Sequence, residues 1–316
     1  MAKALNQALR DSLSGDDRTL VLGEDVGPLG GVFRITDGLQ AEFGRERVFD
    51  TPLAESAIAG VSFGLALAGW RPIAEMQFDG FSYPALDQVI SHVAKHRYRS
   101  RGRAPVPMVI RIPFAGGIGA AEHHSESPET YYAHTAGLKV VVPSSALDAY
   151  TLLTQSIADP DPVVFLEPKS RYWSKESGEL AAGGPAVGKA RVVREGSDVT
   201  VVAYGAMVAR SLAAAEQADA SLEVIDLRSL VPLDVETLAA SVQKTGRAVV
   251  VHEAPMTLGF GAEIVARIVE DAFDYLEAPV VRVTGWDTPY PPATLEEHYL
   301  PNVKRILRAV DRVTGY

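Results

Sequence analysis

The sequence has no cysteine, which excludes disulfides, thiolate catalysis and cysteine-ligated zinc together and leaves the redox compartment unread. Asparagine is almost as scarce, Asn6 and Asn302 being the two present. No segment approaches ~18 uninterrupted apolar residues, and the N-terminal MAKALNQALRDSL reads as an amphipathic helix without the apolar centre of a signal peptide. A soluble, cytoplasmic protein with no membrane association is expected. Basic charge is in the minority, 30 Lys and Arg against 40 Asp and Glu. That balance argues against general nucleic-acid binding and leaves an acidic surface open to a basic partner.

What is present is 316 residues, 47% of them hydrophobic, enough to bury a large core and to form two domains rather than one. Short β-branched runs alternate with helical stretches: RTLVLGEDV, RVFDTP into an Ala-rich segment, RPIAEMQF, a long helix from Pro84 to Tyr98, PMVIRIPF, LKVVVP, ALDAYTLLTQSIA and PVVFLEP. Apolar strands separated by helices predict βαβ units, an α/β fold with a largely parallel, doubly covered sheet. SKESGELAAGGPAVGKA, residues 174–190, is polar, Gly-rich and aperiodic. Beyond it the rhythm restarts with DVTVVAYG, SLEVIDLRSL, RAVVVHEAP and PVVRVTGW. The expected division is a first domain over 1–175, a connector over 176–190 and a second α/β domain over 191–316.

Several motifs carry chemistry in one reading and structure in another. GFGAEI at 259–264 follows a strand and opens a helix, but Ile264 stands where a third glycine would complete a dinucleotide fingerprint, so a tight turn is expected. His92 and His96 lie one helical turn apart without an HExxH motif and read as surface or interface histidines. The basic run Lys95 to Arg103 ends the same helix, where cations complement the dipole. GEDVG at 23–27 closes a predicted strand at the sheet edge where open α/β folds bind ligands, which makes Glu24 a candidate; a solvated loop stays open. In TPLAE, Pro52 marks a turn and Glu55 falls in the first turn of the following helix, near the positive dipole end. An ordinary acid at a helix start and a site carboxylate fit that position equally.

GEDVGPLGGVFR, VFDTPLAES, AEMQFDGFSYPALDQ, EHHSESPE, GLKVVVPS, DPVVFLEPK, EVIDLRSLVPLD, HEAP and DTPYPP, in this order and spacing, resemble the beta subunit of the decarboxylating component of 2-oxo acid dehydrogenase complexes. HEAP, VFLEPK and VTGWDTPYPP look closer to the branched-chain type, with the pyruvate type as the alternative. The resemblance implies a transketolase-like pyrimidine-binding domain followed by a transketolase C-terminal-like domain. It also implies thiamine diphosphate, whose ring is the electron sink for decarboxylation. The family motif puts at Glu55 the carboxylate that hydrogen-bonds the pyrimidine N1′ and favours the tautomer whose nitrogen takes the thiazolium proton. Phe81 takes the aromatic position beside the pyrimidine, with Glu24 joining Glu55 and Phe81 as cofactor-binding. His124, rather than His123, matches the histidine that binds substrate or moves protons during acyl transfer. A structural potassium site maps to Met108, Ser156, Ile157, Asp159 and Asp161.

The GDG motif and the later NN that hold the diphosphate through magnesium are both missing. The resemblance therefore implies that an alpha subunit supplies magnesium and half of the site in an α2β2 assembly, with the lipoyl and subunit-binding domains of a dihydrolipoyl acyltransferase as further partners. A reading of another class is a noncatalytic assembly subunit that docks the acyltransferase through Glu270, Asp271, Asp274 and Glu277. An independent transketolase-type enzyme is excluded by length and by the missing diphosphate motif.

Overall fold

In the structure, a computed structural model describing residues 1–316, the chain forms two sheets. The strands in chain order are β1 (Thr19–Gly23), β2 (Val48–Asp50), β3 (Arg71–Glu75), β4 (Val109–Phe114), β5 (Lys139–Val141), β6 (Val163–Pro168), β7 (Arg191–Arg194), β8 (Val199–Ala203), β9 (Leu222–Asp226), β10 (Ser229–Val231), β11 (Ala248–Pro255) and β12 (Val281–Gly285). The first sheet has the order β10-β5-β6-β4-β3-β1-β2 and the second β12-β11-β8-β9-β7. All neighbours are parallel except the edge pairs β10/β5 and β7/β9. Every residue of β1, β4, β6, β8 and β9 is buried. Helices cover both faces of a parallel sheet, so its strands must be apolar on both sides. No helix is long and apolar enough to cross a membrane.

Arg111 is the exception inside β4. It is fully buried, with Nη1 2.5 Å from Glu75 Oε2 on β3 and Nε and Nη2 2.6 and 2.9 Å from the two carboxylate oxygens of Glu167 on β6. The planar guanidinium satisfies both flanking strands, and Tyr172 adds a hydroxyl to Glu167 at 2.7 Å. Loss of one partner would leave a buried charge uncompensated.

Two expectations need correction. SLEVIDLRSL reads as one strand, yet it is split between the sheets: β9 lies in the second and β10 in the first. Arg228 makes the break with φ 58°, and its buried guanidinium binds Asp148 Oδ1 at 3.0 Å and the carbonyls of Lys189 and Pro185 at 2.8 and 3.1 Å. The helix expected from Pro84 to Tyr98 instead begins as a 3₁₀ turn, Gly80–Ala85, which holds Pro84, and continues from Leu86 to Arg99 through a π-helical turn at Val89–Val93. Proline lacks the N–H that a helix interior requires, so it stays in the opening turn.

The helix Glu55–Leu67 buries Ile58, Ala59, Ser62 and Ala66 against its own sheet. Its other side leaves Val61 and Leu67 exposed, and Leu53, in the turn before the helix, is exposed as well.

Candidate active site

β1 and β2 are parallel neighbours, so the loops leaving their carboxyl ends rise on the same side of the sheet. Thr51 N–H donates to Gly23 carbonyl at 2.9 Å and Gly27 N–H to Asp50 Oδ1 at 2.6 Å, tying the two loops together. Glu24 follows β1 directly, and Glu55 opens the helix that follows β2; each is only 6% exposed. Burial pushes the Glu24 carboxyl up to about 7, with the charges of Glu55 and Asp25 adding to it. Its Oε1 has no partner in the chain. Glu24 therefore holds a proton into neutral pH beside Glu55, and one of its oxygens is free for a ligand.

The turn Gly80–Ala85 packs on the Glu55 helix and carries Phe81. The ring of His124 lies over Phe78 with centroids 3.9 Å apart and planes 20° apart, and edge-on to Phe81 at 5.1 Å and 87°. His124 is half-buried and His123 exposed. His124 Nδ1 is 3.0 Å from the His123 carbonyl, which can only accept, so Nδ1 carries the proton and Nε2 keeps its lone pair. Burial lowers the His124 pKa against that hydrogen bond, with His123 and Lys169 lowering it further. The result is a neutral imidazole with a free basic nitrogen. Phe78 went unassigned in the sequence reading; its three-residue spacing from Phe81 in FDGF was the available signal.

His124 sits on the loop from β4 to residue 126. Ala115 N–H closes the loop onto the Glu126 carbonyl at 2.8 Å, and Glu126 N–H donates to Asp79 Oδ2 at 2.5 Å. Asp79 is paired with Lys169, both fully buried, and Tyr83 donates its hydroxyl to the Glu126 carboxylate. Burial raises Asp79 to about 6 against the pull of Lys169. A β-carbon on Gly80 would stand 2.4 Å from the His123 carbonyl oxygen, so only glycine lets the loop lie this close.

The second domain reaches the same loop. Gly116 N–H donates to Glu253 Oε2 at 3.0 Å, Gly117 N–H to Glu296 Oε1 at 3.0 Å, and Gly119 N–H to Glu296 Oε2 at 3.1 Å. Tyr290 adds its hydroxyl to Glu296 Oε1 at 2.8 Å. Neither acid was singled out from the sequence. A signal existed at Glu253, an acid inside the apolar run AVVVHEAP, because a buried carboxylate requires donors.

Met108, Ser156, Ile157, Asp159 and Asp161 gather near the amino ends of β4 and β6, the opposite edge of the sheet from Glu24 and Glu55. Their acceptors already have partners: Val163 N–H on the Met108 carbonyl at 3.0 Å, Asp159 N–H on Ser156 at 3.3 Å, and Arg71 Nη1 on Ile157 at 3.1 Å. Lys139 binds Asp159 at 2.6 Å and Arg97 binds Asp161 at 2.9 Å. In the acidic patch, Arg267 pairs with Glu270 and Asp271 at 3.1 and 3.6 Å, and Arg247 pairs with Glu277 at 2.7 Å.

Residues 1–174 match the transketolase pyrimidine binding domain and residues 188–306 the transketolase C-terminal domain. A Mycobacterium tuberculosis protein named 3-methyl-2-oxobutanoate dehydrogenase subunit beta is 58% identical over 99% of this chain and 91% of its own. A Leifsonia xyli protein named pyruvate dehydrogenase E1 component subunit beta is 53% identical over 100% of this chain and 95% of its own. Among solved structures, a split gene transketolase described as an inactive beta4 tetramer superposes with a TM-score of 0.82 at 25% identity, covering 99% of this chain and 97% of that one. Both halves are matched in order, and relatives of more than half identity span nearly all of the sequence: the chain belongs to the family of 2-oxo acid dehydrogenase beta subunits.

Proposed function

We propose that this chain, joined to an alpha subunit, carries out thiamine-diphosphate-dependent oxidative decarboxylation of a branched-chain 2-oxo acid and passes the acyl group to the lipoyl domain of a dihydrolipoyl acyltransferase. The observation that carries the reading is the buried carboxyl pair Glu24 and Glu55, one oxygen of which has no partner, at the ligand-binding edge of a pyrimidine-binding fold. Such a pair is costly to bury without a polar ligand and fits a nitrogen heterocycle that both donates and accepts. The cofactor, when bound, supplies a nucleophilic carbon and an electron sink.

The chain's residues have distinct tasks in this reading. Glu55 holds the proton balance at a ring nitrogen, and Glu24 tunes it by carrying a proton of its own. Phe81 offers a ring face. His124, neutral with Nε2 free, binds substrate or moves a proton during acyl transfer. The missing GDG and NN motifs support magnesium and the diphosphate being held by the alpha subunit. The exposed apolar face of the Glu55 helix supports a subunit contact there. Potassium, if bound, would take the remaining lone pairs of the carbonyls of Met108, Ser156, Ile157, Asp159 and Asp161 and would act on stability, since these lie across the sheet from the carboxyl pair. The branched-chain preference is supported by the name of the 58% identical relative.

The deciding experiment is coexpression with an alpha subunit bearing the diphosphate motif, followed by assay against a panel of 2-oxo acids with and without lipoyl domain. Turnover that needs both chains and thiamine diphosphate is expected. An assembled pair that turns over no 2-oxo acid would favour an assembly role instead.

A further inference from the structure

We propose that Glu296 and Glu253, from the second domain, are positioning residues that clamp the His124 loop and set the geometry of acyl transfer. The inference rests on the reading of His124 given above and goes beyond it by naming what holds that histidine. The loop leaves β4 through the buried Ala115 and then Gly116, Gly117, Ile118 and Gly119, a stretch whose three glycines bring no side chain of their own to order it. Ala115, Gly117 and Gly119 have φ of 67°, 86° and 69°, and the N–H groups of Gly116, Gly117 and Gly119 find side-chain acceptors instead of a strand ladder. Ordering such glycine-rich backbone is entropically costly and needs fixed acceptors.

The second domain supplies them. Glu296, 7% exposed, grips Gly117 and Gly119 with both carboxylate oxygens and is itself fixed by the Tyr290 hydroxyl. Glu253 takes the Gly116 N–H from the end of β11. Hydrogen bonds to a carboxylate are stronger than those to neutral acceptors. On its other side the loop is held by the first domain, through Asp79 with Lys169 and Tyr83 with Glu126. His124 lies between the two sets of anchors. The second domain thus bears directly on the position of the imidazole, whereas Glu24 follows β1 and Glu55 opens the helix after β2, away from this loop in the chain.

The test uses the enzyme assembled with its alpha subunit and compares Glu296→Gln, Glu296→Ala and Tyr290→Phe with the parent. Two activities are followed, decarboxylation coupled to an artificial electron acceptor and acylation of a free lipoyl domain, together with hydrogen exchange of the segment 115–126. We expect Glu296→Ala to exchange this segment about tenfold faster or more and to lower kcat for lipoyl acylation about tenfold while dye-linked decarboxylation changes less than about threefold. Gln keeps one acceptor and should recover part of both effects; Tyr290→Phe should show the same pattern more weakly. Unchanged exchange in Glu296→Ala, or equal loss of the two activities in every variant, overturns the proposal. His124→Gln separates the two readings: full lipoyl acylation in that variant removes His124 from the reaction, while accelerated exchange in the Glu296 variants would still establish the clamp.

Discussion

A β-carbon on Gly116 would stand 1.7 Å from the hydroxyl of Tyr290. The two domains thus meet where one has no side chain and the other presents a phenol that also binds Glu296 at 2.8 Å. Gly116→Ala must displace either Tyr290 or the loop, and overpacking of this kind costs about 1–3 kcal/mol. A lower melting temperature is expected, and adding Tyr290→Ala should recover part of the loss because the obstacle is then gone. Thermal unfolding of the two single variants and the double variant measures the coupling; strictly additive losses would contradict the packing argument.

Glu55→Gln is expected to fold and assemble but to lose decarboxylation by roughly a thousandfold, the equivalent of ~4 kcal/mol of barrier. Gln preserves size and one acceptor while removing the charge. Near-normal dye-linked turnover in an assembled Glu55→Gln enzyme would take the carboxylate out of the chemistry.

The stability contributed by Glu129 should fall as pH rises from about 4.5 to about 7. Glu129 is fully buried, accepts the Tyr204 hydroxyl at 2.7 Å, and is pushed up by burial to about 7. In the unfolded chain its carboxyl ionises near the ordinary value of 4.5. Between those values the folded state binds the extra proton, so raising the pH favours unfolding, by an amount on the order of 3 kcal/mol once both states are ionised. Glu129→Gln removes this ionisation. The difference in melting temperature between pH 5 and pH 8 should narrow in that variant; an unchanged difference would mean that Glu129 does not carry the dependence.

The isolated chain is expected to bind thiamine diphosphate weakly and to turn over no 2-oxo acid until its alpha partner is added. A diphosphate needs cations or a metal to offset its desolvation, and an acidic chain, of net charge −10, offers few. Calorimetric titration of the chain alone with thiamine diphosphate and magnesium checks this, and submicromolar binding would argue against a shared site.

Substrate choice is a separate matter. In the assembled pair, kcat/KM for 3-methyl-2-oxobutanoate should exceed that for pyruvate. Discrimination between acyl groups that differ by a few carbons is worth about 1–3 kcal/mol per methylene, so residues of the alpha chain bear on it too. A higher kcat/KM for pyruvate would assign the chain to the other substrate class.

Buried parallel strands are plain in sequence because both faces are apolar: VIRIPF and PVVFLEP lie in β4 and β6. Edge strands are not, since a short strand pairs on one side only; RVVR and the end of SLEVIDLRSL carry no pattern that says which sheet they join. Glu55, Phe81 and His124 became candidates through the family resemblance, each within a few residues of its neighbours in a recognisable phrase. Glu253 and Glu296 were hidden by distance. Each bonds to a glycine more than 130 residues away in the chain, and no local spacing encodes such a contact.

Ser229–Val231 lies in the first sheet although it is encoded beyond the connector. The protein is sewn together at that point, so it cannot be cut cleanly at residue 190. A fragment ending there would leave Lys139–Val141 as a raw edge with unpaired N–H and carbonyl groups, an invitation to pair with a second fragment. The pyrimidine-binding half is thus finished only when the last third of the polypeptide has begun to fold, and a split version of this subunit would need residues 229–231 returned to it as a separate patch.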